Sequence, residues 1–134
     1  MSGLAGLLAH HHEPGVYRWH AAFPAEEVAH AVQHAGWRFG YVDGWHHQTR
    51  TEFLVAVGEA LDFPEHYGRN LDALNDCLRD VPDRTVLLWD GWGTLAREDA
   101  AAFAAVRTIL GDHGATLTTL LRGEGPELDV PSLD

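Results

Sequence analysis

The chain has 134 residues, a formal charge of −11 with histidine counted as neutral, and one cysteine. That length sets one domain able to bury a core without disulfides or metal, and the lone cysteine rules out an internal disulfide and fits a reducing, cytoplasmic compartment. The acidic balance argues against nucleic acid and anionic membrane as partners and for a basic protein, or for solubility alone, while the lack of Lys and the confinement of serine to Ser2 and Ser132 remove Schiff-base, P-loop and Ser-nucleophile chemistry.

The apolar piece Leu4–Ala9 lacks a basic flank and is not read as a signal peptide, and no apolar run approaches a membrane span. His10, His11 and His12 read as a mobile polar segment. Gly15–Trp19 reads as a short strand or extended arm. Pro24–Ala35 reads as a helix that turns Val28, Ala31, Val32 and Ala35 inward, with Gly36 ending it. His30 and His34 stand four apart, a metal-binding spacing, but on the polar face and outside any His-Glu-x-x-His pattern. Trp37–Val42 is a predicted strand, followed by an Asp43-Gly44 turn and a loop with His46 and His47. Gln48–Leu61 is a predicted helix with Thr49 or Thr51 as cap and Phe53, Leu54, Val57 and Leu61 on its apolar face. After Pro82-Asp83, the continuous apolar run Thr85–Trp89 suits a strand buried on both faces of a parallel sheet. Asp90 takes a turn role. Asp99 to about Gly111 is a predicted helix, Thr116–Leu121 the last strand, and residues 123–134 a loose acidic tail.

The most informative stretch is Phe63–Asp80. Asn70 is a good N-cap, and Leu71, Leu74, Cys77 and Leu78 fall on one apolar stripe, which places Cys77 as a small buried hydrophobe. Asp72, Asp76 and Asp80 follow one another at intervals of four. Each like-charge pair at that spacing costs about 0.2–0.5 kcal/mol, and the later carboxylates also oppose the helix dipole. Arg79 offsets this only in part. In front lies a loop with His66, Tyr67 and Gly68, where Gly68 is expected to supply a positive φ or a close backbone approach. Exposed aromatics, open backbone and then a column of carboxylates suit docking to a cationic cleft.

The run Phe63-Pro64-Glu65-His66-Tyr67-Gly68-Arg69-Asn70-Leu71-Asp72-Ala73-Leu74-Asn75-Asp76-Cys77-Leu78 resembles the signature of the barstar family, intracellular inhibitors of barnase-type ribonucleases. The resemblance is nearly continuous over residues 63–78, and a weaker pattern covers about residues 36–121. It implies that the helix and its preceding loop enter a ribonuclease active site, with carboxylates standing where substrate phosphates would lie. The implied contact residues are His66, Gly68, Asn70, Leu71, Asp72, Asn75, Asp76 and Arg79. His66 stands where the family often has Tyr or Phe, and Asn75 where Trp is common. Ile109 and His113 fall at slots where a well-studied member has two Glu.

The expected architecture is α/β: a barstar-like domain over residues 36–122 with three core parallel strands and packed helices, an N-terminal extension over residues 1–35 (arm or edge strand plus helix), and the tail. Gly15–Trp19 is the candidate for a fourth, edge strand. The expected function is inhibition of a basic ribonuclease by a chain that is monomeric when free and needs no catalytic residue, cofactor or metal. An immunity protein against a dedicated nuclease toxin of the same cell would use the same residues. A metal-dependent hydrolase built from His30, His34, His66 and His113 is the alternative from another class, but their spacing forms no closed ligand set.

Overall fold

The computed structural model describes residues 2–134. In chain order the elements are α1 (Ser2–Leu8), β1 (Val16–Trp19), α2 (Ala25–His34), β2 (Arg38–Asp43), α3 (Arg50–Ala60), α4 (Leu71–Leu78), β3 (Thr85–Asp90), α5 (Gly93–Glu98), α6 (Ala100–Asp112) and β4 (Leu117–Arg122). Side-chain and backbone caps set several boundaries. The Thr49 hydroxyl accepts from the Glu52 N–H at 3.1 Å while Glu52 Oε1 accepts from the Thr49 N–H at 3.1 Å, a reciprocal cap that starts α3. Asp99 both closes α5 and starts α6, accepting from the Ala102 N–H at 3.0 Å. At the end of α2, Gly36 adopts φ 86°, and the N–H groups of Gly36 and Trp37 donate to the carbonyls of Gln33 and Val32. That paired closure reverses the chain and delivers it into β2.

The four strands are parallel, in the order β1-β4-β3-β2. Right-handed crossovers then decide which face each helix covers. The steps β2 to β3 to β4 run one way across the sheet, so α3, α4 and α6 share a face. The step from β1 to β2 returns across the whole sheet, so α2 falls on the other. Two cores result. Phe53, Val57, Leu74, Leu78, Leu87, Trp89, Phe103 and Val106 fill one. Leu4, Leu7, Val28, Val32, Val86, Leu88, Leu120 and Leu133 fill the second. The central strand β3 alternates between them, and Thr85 to Trp89 are all buried, which is why that run carries no polar face.

The candidate edge strand is present: β1 pairs along β4 from Val16↔Thr119 to Trp19↔Arg122, which makes a sheet of four strands. Several other expectations change. Residues 1–35 hold a helix that the sequence reading did not assign, α1, whose Leu4 and Leu7 are fully buried; burial of each contributes about 1.5–3 kcal/mol. His10 is no free polar residue, since its ring lies 5.7 Å from that of Trp37. The tail is not loose. The Arg18 N–H donates to the Pro131 carbonyl at 2.9 Å, the Leu133 N–H donates to the Arg18 carbonyl at 2.8 Å, and Leu133 is buried. The last residues thus shield the outer edge of β1. The stretch after Trp92, unassigned in the sequence, forms α5. Asp90 does more than end a strand: its carboxylate accepts from Arg122 Nε and Nη2 at 2.6 and 2.8 Å and from the Tyr41 hydroxyl at 2.9 Å. Arg122 Nη1 donates in turn to the Ala21 and Phe23 carbonyls at 3.2 and 2.6 Å, so one guanidinium ties β3 and β4 to the segment that leads into α2.

Candidate protein-binding surface

The loop before α4 is built on a slot in α3. Phe63 and Tyr67 meet edge to face, ring centroids 4.9 Å apart, and the Tyr67 hydroxyl donates to the Leu54 carbonyl at 2.9 Å. Burial first, and the nearby Cys77 second, push the Tyr67 phenol up to about 12. The slot exists because residue 58 is glycine: a Cβ there would lie 2.7 Å from the Tyr67 ring. Gly58→Ala is therefore expected to displace Tyr67 and the loop. Overpacking costs about 1–3 kcal/mol and the better helix propensity of Ala returns about 1, so a net loss of roughly 1 kcal/mol is expected. Urea denaturation with near-ultraviolet circular dichroism checks it; an unchanged midpoint and an unchanged aromatic spectrum would mean the slot is not tight.

Past Tyr67 the backbone turns on Arg69, with φ 54°. Of the two roles expected of Gly68, it serves the close approach. A Cβ on it would sit 3.2 Å from Asn70 Nδ2 and 3.5 Å from Ala73 Cβ. Asn70 starts α4 as expected: its Oδ1 accepts from the Ala73 N–H at 2.8 Å. Leu74 and Leu78 are buried, Leu71 and Cys77 only half-buried. The Cys77 thiol is pushed up, by burial first and then by the charges of Asp76 and Asp80, which disfavours the reactive thiolate.

The outward face carries Asp72, Asn75, Asp76 and Arg79. Asp72 and Asp76 are exposed, and α4 ends at Leu78, so Asp80 lies in the turn beyond rather than on the helix. Asp72 has no ion-pair partner among the described residues; Asp76 has Arg79 at 3.3 Å, with both side chains about two-thirds exposed (69% and 66%). Open hollows flank the helix. One of about 230 Å³ lies between His66, Gly68, Asp76 and Asp80. Another of about 330 Å³ is bordered by Arg50, Arg69, Asn70, Leu71 and Asp72. The surface is thus a ridge bearing two carboxylates, with a depression on each side wide enough for a side chain.

Two of the departures noted in the sequence meet in space. His113, at the end of α6, places Nε2 2.9 Å from Asn75 Oδ1, so the ring donates to the amide oxygen and ties α6 to the outward side of α4. Their separation of 38 positions along the chain hid this contact from any local pattern. Ile109, the other slot on α6, packs half-buried against the core. His30 and His34 stack, ring centroids 6.2 Å apart, on the exposed face of α2. Among the described residues no three His, Cys, Asp or Glu side chains converge into a ligand set.

A family model described as Barstar (barnase inhibitor) matches residues 37–127, more than half of the chain. This chain belongs to the barstar family. The barstar match begins at Trp37, so α1, β1 and α2 lie outside the matched part. No curated protein sequence matches the chain. Among solved structures, the ORC2 protein of Aeropyrum pernix is similar with a TM-score of 0.58 at 13% identity, over 92% of this chain and 39% of that one. ORC of Drosophila bound to DNA is similar with a TM-score of 0.61 at 14% identity, over 84% and 33%. A Walker-type ATPase of Pyrococcus abyssi is similar with a TM-score of 0.55 at 12% identity, over 91% and 44%. The chain spans less than half the length of each. At such identity the likeness shows the fold alone, a parallel sheet with helices on both faces; this barstar-family chain has no Lys and hence no P-loop Lys. No helix among the described residues is long and apolar enough to cross a membrane.

Proposed function

We propose that this chain inhibits a barnase-type ribonuclease by placing α4 and the loop before it in the enzyme's active site. Asp72 and Asp76 meet the Arg, Lys or His residues that otherwise hold substrate phosphates, and His66, Gly68, Asn70, Leu71, Asn75 and Arg79 complete the contact. The chain performs no chemistry of its own; it works inside the cell, as a monomer until it binds, through charge and fit. The observation that carries this reading is the coincidence of the family's matched segment with an exposed helix face whose carboxylates are largely left for a partner.

Titration against barnase and related ribonucleases, with a fluorescent RNA substrate, is expected to show stoichiometric inhibition. Full activity of all of them in excess protein would count against the reading. Inhibition restricted to a nuclease toxin encoded in the same genome would make the chain an immunity protein that uses the same surface.

Association is expected to be salt-sensitive and dissociation much less so. A net charge of −11 attracts a basic enzyme over distances that salt screens, with a Debye length of about 8 Å at physiological strength. Such steering is established for barnase–barstar, a complex of this family. Stopped-flow on-rates from low to high NaCl check it, and a flat profile would leave the charge a role in solubility alone.

A further inference from the structure

We propose that Asn75 and His113 form one specificity element: His113 holds the Asn75 amide with its NH2 facing outward beside Asp72 and Asp76, so the surface selects a partner that sets a hydrogen-bond acceptor between its cations. This rests on the inhibitor reading and refines it. An Asn amide can face a partner in two ways. With oxygen outward it would add one more acceptor to a stripe of acceptors and suit cations only. The contact places the oxygen on His113 instead. Asn75 Oδ1 lies 2.9 Å from His113 Nε2, and an amide oxygen only accepts, so Nε2 carries the proton. Oδ1 is thereby occupied, and Nδ2 keeps two N–H groups. Asn75 is half-exposed and its Nδ2 is absent from the buried, unpaired polar atoms, so those N–H groups reach the surface. Asn75 follows Asp72 by three residues, which puts the donor beside that carboxylate on the helix surface, with Asp76 next along the chain.

The imidazole can hold the amide because its own backbone is held. The His113 N–H donates to the Leu110 carbonyl at 3.3 Å, and the His113 carbonyl accepts from the Thr116 and Leu117 N–H groups at 3.2 and 3.1 Å. A pre-oriented amide needs no ordering when the complex forms, which favours a matched partner. A partner with a third cation at this point would face an N–H donor, and that mismatch is how the pair discriminates.

Two experiments decide it. In the free protein, nitrogen-15 NMR of the imidazoles is expected to show His113 as the Nε2–H tautomer; the Nδ1–H tautomer would overturn the orientation whatever the partner. The second uses barnase as the probe. Wild-type protein that binds neither barnase nor any related ribonuclease overturns the inhibitor reading and the docking role of the pair with it, while the tautomer result stands by itself; where a related ribonuclease binds and barnase does not, that enzyme takes barnase's place as the probe. If it binds, Asn75→Ala and His113→Ala are each expected to weaken binding about three- to tenfold, the worth of one hydrogen bond, and the double variant no further than the weaker single. His113→Gln, which returns an amide nitrogen near the Nε2 position, is expected to restore binding, and Asn75→Asp, which turns an acceptor outward, to weaken it more than Asn75→Ala does. Unchanged affinity in the single variants, or losses that simply multiply in the double, would overturn the proposal. A lowered unfolding midpoint for His113→Ala with affinity intact would reduce the pair to a tie between α4 and α6.

Discussion

Asp76→Ala is expected to leave the fold as stable as before, or slightly more stable, and to weaken ribonuclease binding by about 2–5 kcal/mol, the usual cost of truncating one member of a buried, hydrogen-bonded charge pair at an interface. The stability side follows from what surrounds Asp76. Asp72 one turn earlier repels it by about 0.2–0.5 kcal/mol. Asp80 adds less than a helical neighbour would, because α4 ends at Leu78. The carboxylate lies in the last turn, where the dipole disfavours it. Its one ion pair, with Arg79 at 3.3 Å, joins two side chains mostly in water and is worth about 0–1 kcal/mol. Alanine is also the better helix former by roughly half a kcal/mol. No term in this set makes the carboxylate necessary to the fold. The binding side has the opposite sign, because truncation would leave cations of the enzyme desolvated without a counter-charge. Urea denaturation and calorimetric titration of one variant measure both. A clear loss of stability would reveal a structural partner for Asp76 and remove the main support for reading the acidic face as functional.

What the sequence disclosed depended on distance along the chain. Asn70, Thr49 and Gly36 act within four residues, so their caps could be read from spacing, and the β3 run announced its burial through five apolar or β-branched residues in a row. The loop and helix at residues 63–78 were equally legible, since position, cap and charge pattern are all local there. Contacts that close over long separations were not. A glycine at 68 announces either a positive φ or a close approach, and only three dimensions select the second, against Asn70 and Ala73, while the turn falls on Arg69. The tail looked loose because its composition is polar and turn-rich, yet one residue, Leu133, anchors it in the core formed by α1 and α2. His113 gave no sign of Asn75, nor Asp90 of Arg122.

That last pair carries the largest stability effect expected of a single substitution here. Arg122→Ala is expected to destabilise the fold by about 3 kcal/mol or more. The side chains of Asp90 and Arg122 are only 14% and 13% exposed, and removing one member of such a pair strands the other's charge, at a cost of about 3–5 kcal/mol. The position at a strand end, close to water, argues for the lower part of that range. Two further losses come from the same guanidinium. The Ala21 and Phe23 carbonyls lose their donor, which loosens the path from β1 into α2, and the cation stacked 5.5 Å from the centre of the Trp19 ring disappears. Arg122→Lys is not expected to rescue, because an ammonium cannot grip the carboxylate with two parallel bonds and also reach both carbonyls. Replacing the pair together, as Asp90→Leu with Arg122→Met, is expected to recover part of the loss, since no lone charge then remains buried. Binding of the ribonuclease by whatever fraction stays folded is expected to be unchanged. The clamp reaches the segment before α2, and none of Tyr41, Asp90 and Arg122 lines the hollows that flank α4. Urea denaturation of the two single variants and the double decides the point. A cost below about 1 kcal/mol for Arg122→Ala would mean that water reaches Asp90 freely and that the apolar layers alone hold the N-terminal segment to the sheet.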